Sequence, residues 1–189
     1  MDDTIAVLDA CVLYSLPLTD LLLRLSSAEF FQVRWSEEIH QEWISNVLIN
    51  DPNQSRERLE RRRNVMNSFY DRAVVAEYQH MIPQILLPDP DDRHVVAASI
   101  VGGANVIVTF NLRDFPQSAL KPFGITSQHP DPFIAELLAA NEREVCSILR
   151  NQRLDLKNPP CSADEMLSMF SNIGLKQTVA QLALLPEYL

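Results

Sequence analysis

LLPDPDDRHVVAASIVGGANVIVTFNLRDFP, residues 86–116, reads as one helix, one strand and the turns that bound them. Asp91 or Asp92 opens an apolar run through Val101 that is long for a strand. Gly102 and Gly103 close it, as glycines close helices. NVIVTF, Asn105 to Phe110, is short, apolar and rich in β-branched residues, the pattern of a strand buried on both faces. Asp89, Asp91 and Asp92 precede the helix, and Asn111 and Asp114 follow the strand. One or two such acids serve as caps and turn residues; this many ask for a further use.

The same alternation continues outward. TIAVL, Thr4 to Leu8, is a second buried strand that stops at Asp9, and FFQVRW, Phe30 to Trp35, is a third. Leu18 to Leu25 is helical between them. Ser36 is an N-cap with Glu37 and Glu38 in the first turn, where the helix dipole favours anions. The helix it opens carries Ile39, Trp43 and Val47 on one stripe, with Glu38 and Glu42 together on a neighbouring face. Ser55 to Ala73 reads as a long helix with Leu59, Met66, Phe69 and Tyr70 inward, and GITSQ, Gly124 to Gln128, as a short edge strand. Helices alternating with short apolar strands imply an α/β fold on a parallel sheet.

From Asp131 onward the pattern is helical throughout. Asp131-Pro132 reads as an N-cap with proline at the first helical position, and two helices are expected up to about Arg150. NPPCSADEM breaks and restarts the chain: Ser162 and Glu165 have capping-box spacing, and Gly174 divides the last two helices. The expected organisation is a body over residues 1–130 and an all-helical extension over residues 131–189 packed on it.

The 189 residues suffice for one domain with a sizeable core, and 47% hydrophobic with 22% charged residues is ordinary globular composition. No apolar run is long enough to span a bilayer. Asp2 and Asp3 open the chain where a secretory signal would be basic. Cys11, Cys146 and Cys161 lie far apart and share no metal-like spacing with His40, His80 and His129, so a cytoplasmic protein without a zinc site is expected. A net charge of −9 opposes phosphate binding, yet RERLERRR holds five arginines between Arg56 and Arg63, and clustered acids can be offset by bound cations.

Ligands of open parallel sheets sit beyond the carboxyl ends of the strands. Asp9 follows one strand there and Asn111 with Asp114 another; adjacent strands would bring them into one crevice, within reach of Asp92 and Glu42. Gathered carboxylates repel and raise one another's pKa values, and oxygen-only donors suit Mg2+ or Mn2+.

VLDACVL, SEEIHQEW, DPDDRHVVAAS and VTFNLRDFP, in this order, resemble the motifs of a PIN domain, the ribonuclease fold of VapC-type toxins. The resemblance covers roughly residues 4 to 128, and the helical tail resembles an extension carried by one bacterial branch. It implies a three-layer sandwich around the parallel sheet. Its activity would be a Mg2+- or Mn2+-dependent endoribonuclease leaving 5′-phosphate and 3′-hydroxyl ends. It further implies a homodimer and a cognate antitoxin. By position, Asp9, Glu42, Asp92 and Asp114 are the implied catalytic acids. Asp9, Asp92, Asp114 and Asn111 are the implied metal ligands, Asn111 standing where many members have Asp. Glu38 and Asp89 stand in reserve.

Each of these residues has a plainer use. Asp9 and Asp114 can be turn acids, Asp92 a helix cap, Glu42 a solvated glutamate and Thr109 a strand residue rather than a group beside the metal. His94 is either a packing residue or an aid to the site. Arg61, Arg62 and Arg63 are either an RNA-binding edge or a solvated face laced with Glu57 and Glu60. A phosphatase reading of Asp9 requires a second aspartate at Cys11 and is set aside. A PIN-fold RNA- or protein-binding module without chemistry remains the rival.

Overall fold

The structure, a computed structural model, describes residues 4–185; Asp2 and Asp3 lie outside the described residues. The chain runs β1 (Ile5–Leu8), α1 (Ala10–Tyr14), α2 (Leu16–Ser27), β2 (Gln32–Ser36), α3 (Glu37–Asn50), α4 (Arg56–Phe69) and β3 (Val74–Val75). A 3-10 segment at Gln79–Gln84 leads to α5 (Arg93–Val101), β4 (Val106–Val108), α6 (Gln117–Leu120) and β5 (Thr126–Gln128). Among the described residues four helices follow: α7 (Pro130–Ala140), α8 (Glu142–Asp155), α9 (Ala163–Asn172) and α10 (Lys176–Leu182). Among the described residues no helix is long and apolar enough to cross a membrane.

Two compact units divide the chain. The first holds the residues up to Tyr14 with Phe31–Gln128, the second Ser15–Phe30 with the residues from His129 onward. Residues 15–30, which the sequence reads as part of the body, thus group with the tail.

The first unit is built on a five-stranded sheet of order β3-β2-β1-β4-β5, every pair parallel. Ala6 registers with both Val33 and Val106, and Leu8 with Val108. Ala6, Val7, Leu8, Ile107 and Val108 are fully buried, as central strands covered on both faces must be. The order reverses direction between β1 and β4, so their carboxyl ends flank the fold's switch point. Helix α5 packs against β1, β2 and β4 with every side chain from His94 to Ser99 buried. Ser99 satisfies its buried hydroxyl by donating to the Val95 carbonyl at 2.8 Å. Gly102 ends α5 against β3: a Cβ there would lie 2.8 Å from Val75 Cγ2, so no larger residue fits without movement. Gly103 then takes a φ of 65°, the left-handed turn that glycine adopts at no steric cost.

Ser36 caps α3 as its sequence predicts, accepting from the Ile39 N–H at 3.2 Å. Helix α4 departs from expectation. It ends at Phe69, whose side chain is 80% exposed, and Tyr70 leaves helical geometry with φ −125°. A short 3-10 turn at Asp71–Ala73 then delivers β3. The inward stripe is Leu59 and Met66, and between them Arg62 lays its guanidinium 4.6 Å from the centre of the Trp43 ring. A buried polar chain fastens α4 to β2 and α3. Asn67 Oδ1 accepts from Trp35 Nε1 at 2.8 Å and lies 3.0 Å from His40 Nε2; Trp43 Nε1 donates to His40 Nδ1 at 2.9 Å. Burial holds the His40 imidazole down at about 4, so the ring is neutral and serves both neighbours at once.

In the second unit, Arg24 on α2 bonds Asp20 at 3.1 Å and Asp155 of α8 at 2.9 Å, and Gln152 donates to the Pro17 carbonyl at 2.8 Å. The capping box at Ser162 and Glu165 forms. Asp131 does not cap its own helix. His129 takes that position with Pro130 following, while the buried Asp131 carboxylate accepts from Gln177 N at 2.7 Å and from Thr178 N and Oγ1 at 2.8 Å each. It caps α10 instead, because a loop through Gly174 (φ 94°) brings that helix's first N–H groups to α7.

Candidate active site

Asp9 is the hub of the switch point. Its backbone N–H donates to Val108 O at 3.1 Å, which ties the end of β1 to the end of β4. The side chain is 3% exposed. One carboxylate oxygen accepts from Ala10 N at 2.6 Å, the other from Thr109 Oγ1 at 2.6 Å and Cys11 Sγ at 3.0 Å. Burial pushes this carboxyl above its ordinary range, against the pull of those donors, and Glu42 adds to the rise. Burial and the Asp9 charge also raise the Cys11 thiol, which therefore stays protonated and able to donate. Thr109 is fully buried; its hydroxyl accepts from Asn111 N at 2.9 Å while donating to Asp9, and so it orients the loop after β4.

Asp92 stands at the N-cap position of α5, yet its backbone is helical (φ −77°, ψ −6°) and its carboxylate caps nothing. Its carboxyl is pushed up to about 7, by burial first and then by the charges of Asp9, Asp114, Asp89 and Glu42. Asp92 thus feels Asp9, Glu42, Asp89 and Asp114, which places these acids in one electrostatic neighbourhood. They are not in coordinating contact: among the described residues no three His, Cys, Asp or Glu side chains form a group tight enough to hold an ion as they stand. The oxygen-only donor set, with one member still protonated near neutral pH, fits a hard divalent cation and no soft one.

The other expected residues take varied positions. Asn111 is exposed on the loop after β4, and Asp114 N donates to Asn111 O at 3.0 Å within that turn. Glu38 accepts from the Tyr78 hydroxyl at 3.0 Å, and Asp89 from Asp91 N at 2.9 Å. The arginines diverge. Arg61 is exposed and pairs with Glu57 at 2.9 Å; Arg62 donates to Leu13 O at 2.8 Å beneath its stacking on Trp43; Arg63 pairs with Glu37 at 2.8 Å. Arg62 and Arg63 therefore dock α4 onto α1 and α3. His94 is buried, with Nε2 3.5 Å from Glu42 and Nδ1 4.0 Å from Glu38. Burial disfavours its imidazolium, but Glu42, Glu38 and Asp9 outweigh that and raise its pKa. A lone histidine at the head of an apolar helix gave no sequence signal for this contact beyond its spacing of two from Asp92.

The parallel sheet with acids near its switch point is compatible with a PIN-type fold, and comparison with known proteins shows the family. The PIN domain family matches residues 5–113, and the VapC50 C-terminal domain matches residues 130–184. The first match spans more than half of the chain, which therefore belongs to the PIN domain family. Over 76 residues the chain is 38% identical to "Putative ribonuclease VapC50" of Mycobacterium tuberculosis (strain ATCC 25618 / H37Rv). That stretch is 40% of this chain and 45% of the relative, so the match spans less than half of the relative's length. No solved structure matches the chain.

Proposed function

We propose that the chain is a divalent-metal-dependent endoribonuclease of the VapC type. The observation that carries this is Asp92, a helix-head carboxyl that caps nothing and is lifted to about 7 by burial and by the acids around it. Asp9, Asp92, Asp114 and Asn111 would hold Mg2+ or Mn2+, with Glu42 completing the acidic set. When bound, such an ion supplies charge neutralisation at the phosphodiester and a more acidic water. Thr109 keeps Asp9 oriented through its 2.6 Å bond; fully buried, it supports the acid from behind and does not touch the substrate, where it was expected. Arg61, exposed on α4, would position the RNA backbone without reading bases, while Arg62 and Arg63, the other candidates of that run, are engaged by Leu13 O and Glu37. A homodimer and a cognate antitoxin accompany this reading, and the three free cysteines suit a cytoplasmic location.

The test is incubation of purified protein with structured and unstructured RNA, in Mn2+ or in chelator, beside Asp9→Asn. Metal-dependent cleavage by wild type alone is the expected result. RNA binding without cleavage by either protein would instead identify a PIN-fold binding module. Light scattering reads the dimer, and co-purification with the product of an adjacent small gene reads the antitoxin.

A further inference from the structure

His94, on α5, faces two acids of another helix, Glu38 and Glu42. It is 6% exposed, followed by Val95, Val96, Ala97 and Ala98, all fully buried. A packing role at this position calls for another aliphatic residue, because a desolvated imidazole destabilises the fold unless its nitrogens are partnered. The ring's partners are both on α3: Glu42 Oε2 lies 3.5 Å from Nε2 and Glu38 Oε2 lies 4.0 Å from Nδ1. Nδ1 makes no hydrogen bond among the described residues, so Glu42 is the nearer and better-placed partner. Glu38 and Glu42 are one helical turn apart on a shared face, and Glu38 is already engaged by the Tyr78 hydroxyl at 3.0 Å. The imidazole thus sits between the helix that carries Glu42 and the helix headed by Asp92.

We propose that His94 is a positioning residue: by donating from Nε2 it fixes the Glu42 carboxylate and sets its spacing from Asp92. This rests on the reading of Glu42 and Asp92 as acids of the metal site. Groups that hold a metal's carboxylates in place alter affinity by about 10–100-fold when removed.

The experiment uses the full chain and Mn2+ alone, titrated by calorimetry and by thermal shift. The variants are His94→Leu, His94→Asn, His94→Gln, Glu42→Gln and the His94→Leu/Glu42→Gln double. A glutamine amide reaches about where the ring Nε2 lies, an asparagine amide about where Nδ1 lies. His94→Leu is expected to weaken Mn2+ binding about 10–100-fold. His94→Gln should restore most of that loss and His94→Asn little, and His94→Leu should cost nothing more once Glu42 is Gln. Equal losses in both Glu42 backgrounds, or equal behaviour of Gln and Asn, would overturn the proposal in favour of plain packing. So would His94 variants that titrate like wild type, which leaves the metal site itself standing. Melting temperatures without metal give an independent reading: additive shifts for His94→Leu and Glu42→Gln sink the link. Non-additive shifts in a protein that ignores Mn2+ would uphold it while removing the metal reading.

Discussion

Replacing Asp92 with asparagine should stabilise the metal-free protein, although it removes a proposed metal ligand. The folded chain holds this carboxyl at about 7, against an ordinary value of 3.8. At about 1.4 kcal/mol per pH unit that difference amounts to roughly 4 kcal/mol, and screening over the exposed part of the side chain reduces it to about 2 kcal/mol. The sign follows from proton counting. Between about pH 4 and 7 the unfolded chain has released this proton while the folded one retains it, so stability falls as pH rises through the window. The loss is complete above about pH 7. His40, held at about 4, slopes the other way over an overlapping range, which is why the difference between variant and wild type must be read rather than either profile alone. Thermal melts in chelator from pH 4.5 to 8 should show Asp92→Asn gaining on wild type as pH rises. At ~2–4 °C per kcal/mol for a chain of this size, the advantage at pH 8 is about 4–8 °C. Saturating Mn2+ should reverse the ranking, because only wild type then exchanges repulsion for coordination. Parallel pH profiles in chelator would refute the reasoning, for they would mean that neither burial nor the other acids raises Asp92.

Asp9→Asn should likewise melt above wild type without metal and respond less to Mn2+; equal metal responses in the two proteins would remove Asp9 from the site. Asn67→Ala takes the acceptor from Trp35 and His40 together and should cost about 3 kcal/mol, measured by urea denaturation followed through tryptophan fluorescence. Asp131→Ala withdraws the cap of α10 and should cost the second unit about 2 kcal/mol, read as faster amide exchange at Gln177 and Thr178.

Much of the fold is legible in local pattern. β1, β2, β4 and β5 are short apolar or β-branched runs at the places expected, and the capping residues Ser36 and Ser162 mark their helices. What fails does so where tertiary contact overrides local signal. Two residues, Val74 and Val75, are too few to show any period, so β3 is invisible until it pairs with Trp35 and Ser36. Phe69 looks inward by spacing, but Arg62 fills that stripe by laying its stem and guanidinium on Trp43. Asp131 precedes a proline and so imitates a cap for α7, while its acceptors serve a helix 46 residues later in the chain. The acids proposed for the site are legible as motif residues in order. Their coupling is not, because it depends on β1 and β4 being neighbours, which no local pattern states.

The sheet ends in rims of two and three residues, β3 and β5. Such short margins offer almost no backbone ladder for a neighbouring polypeptide to extend. Edge-to-edge pairing of native molecules is thereby disfavoured. The same shortness leaves helix and loop side chains as the larger surface of this unit on offer to a partner.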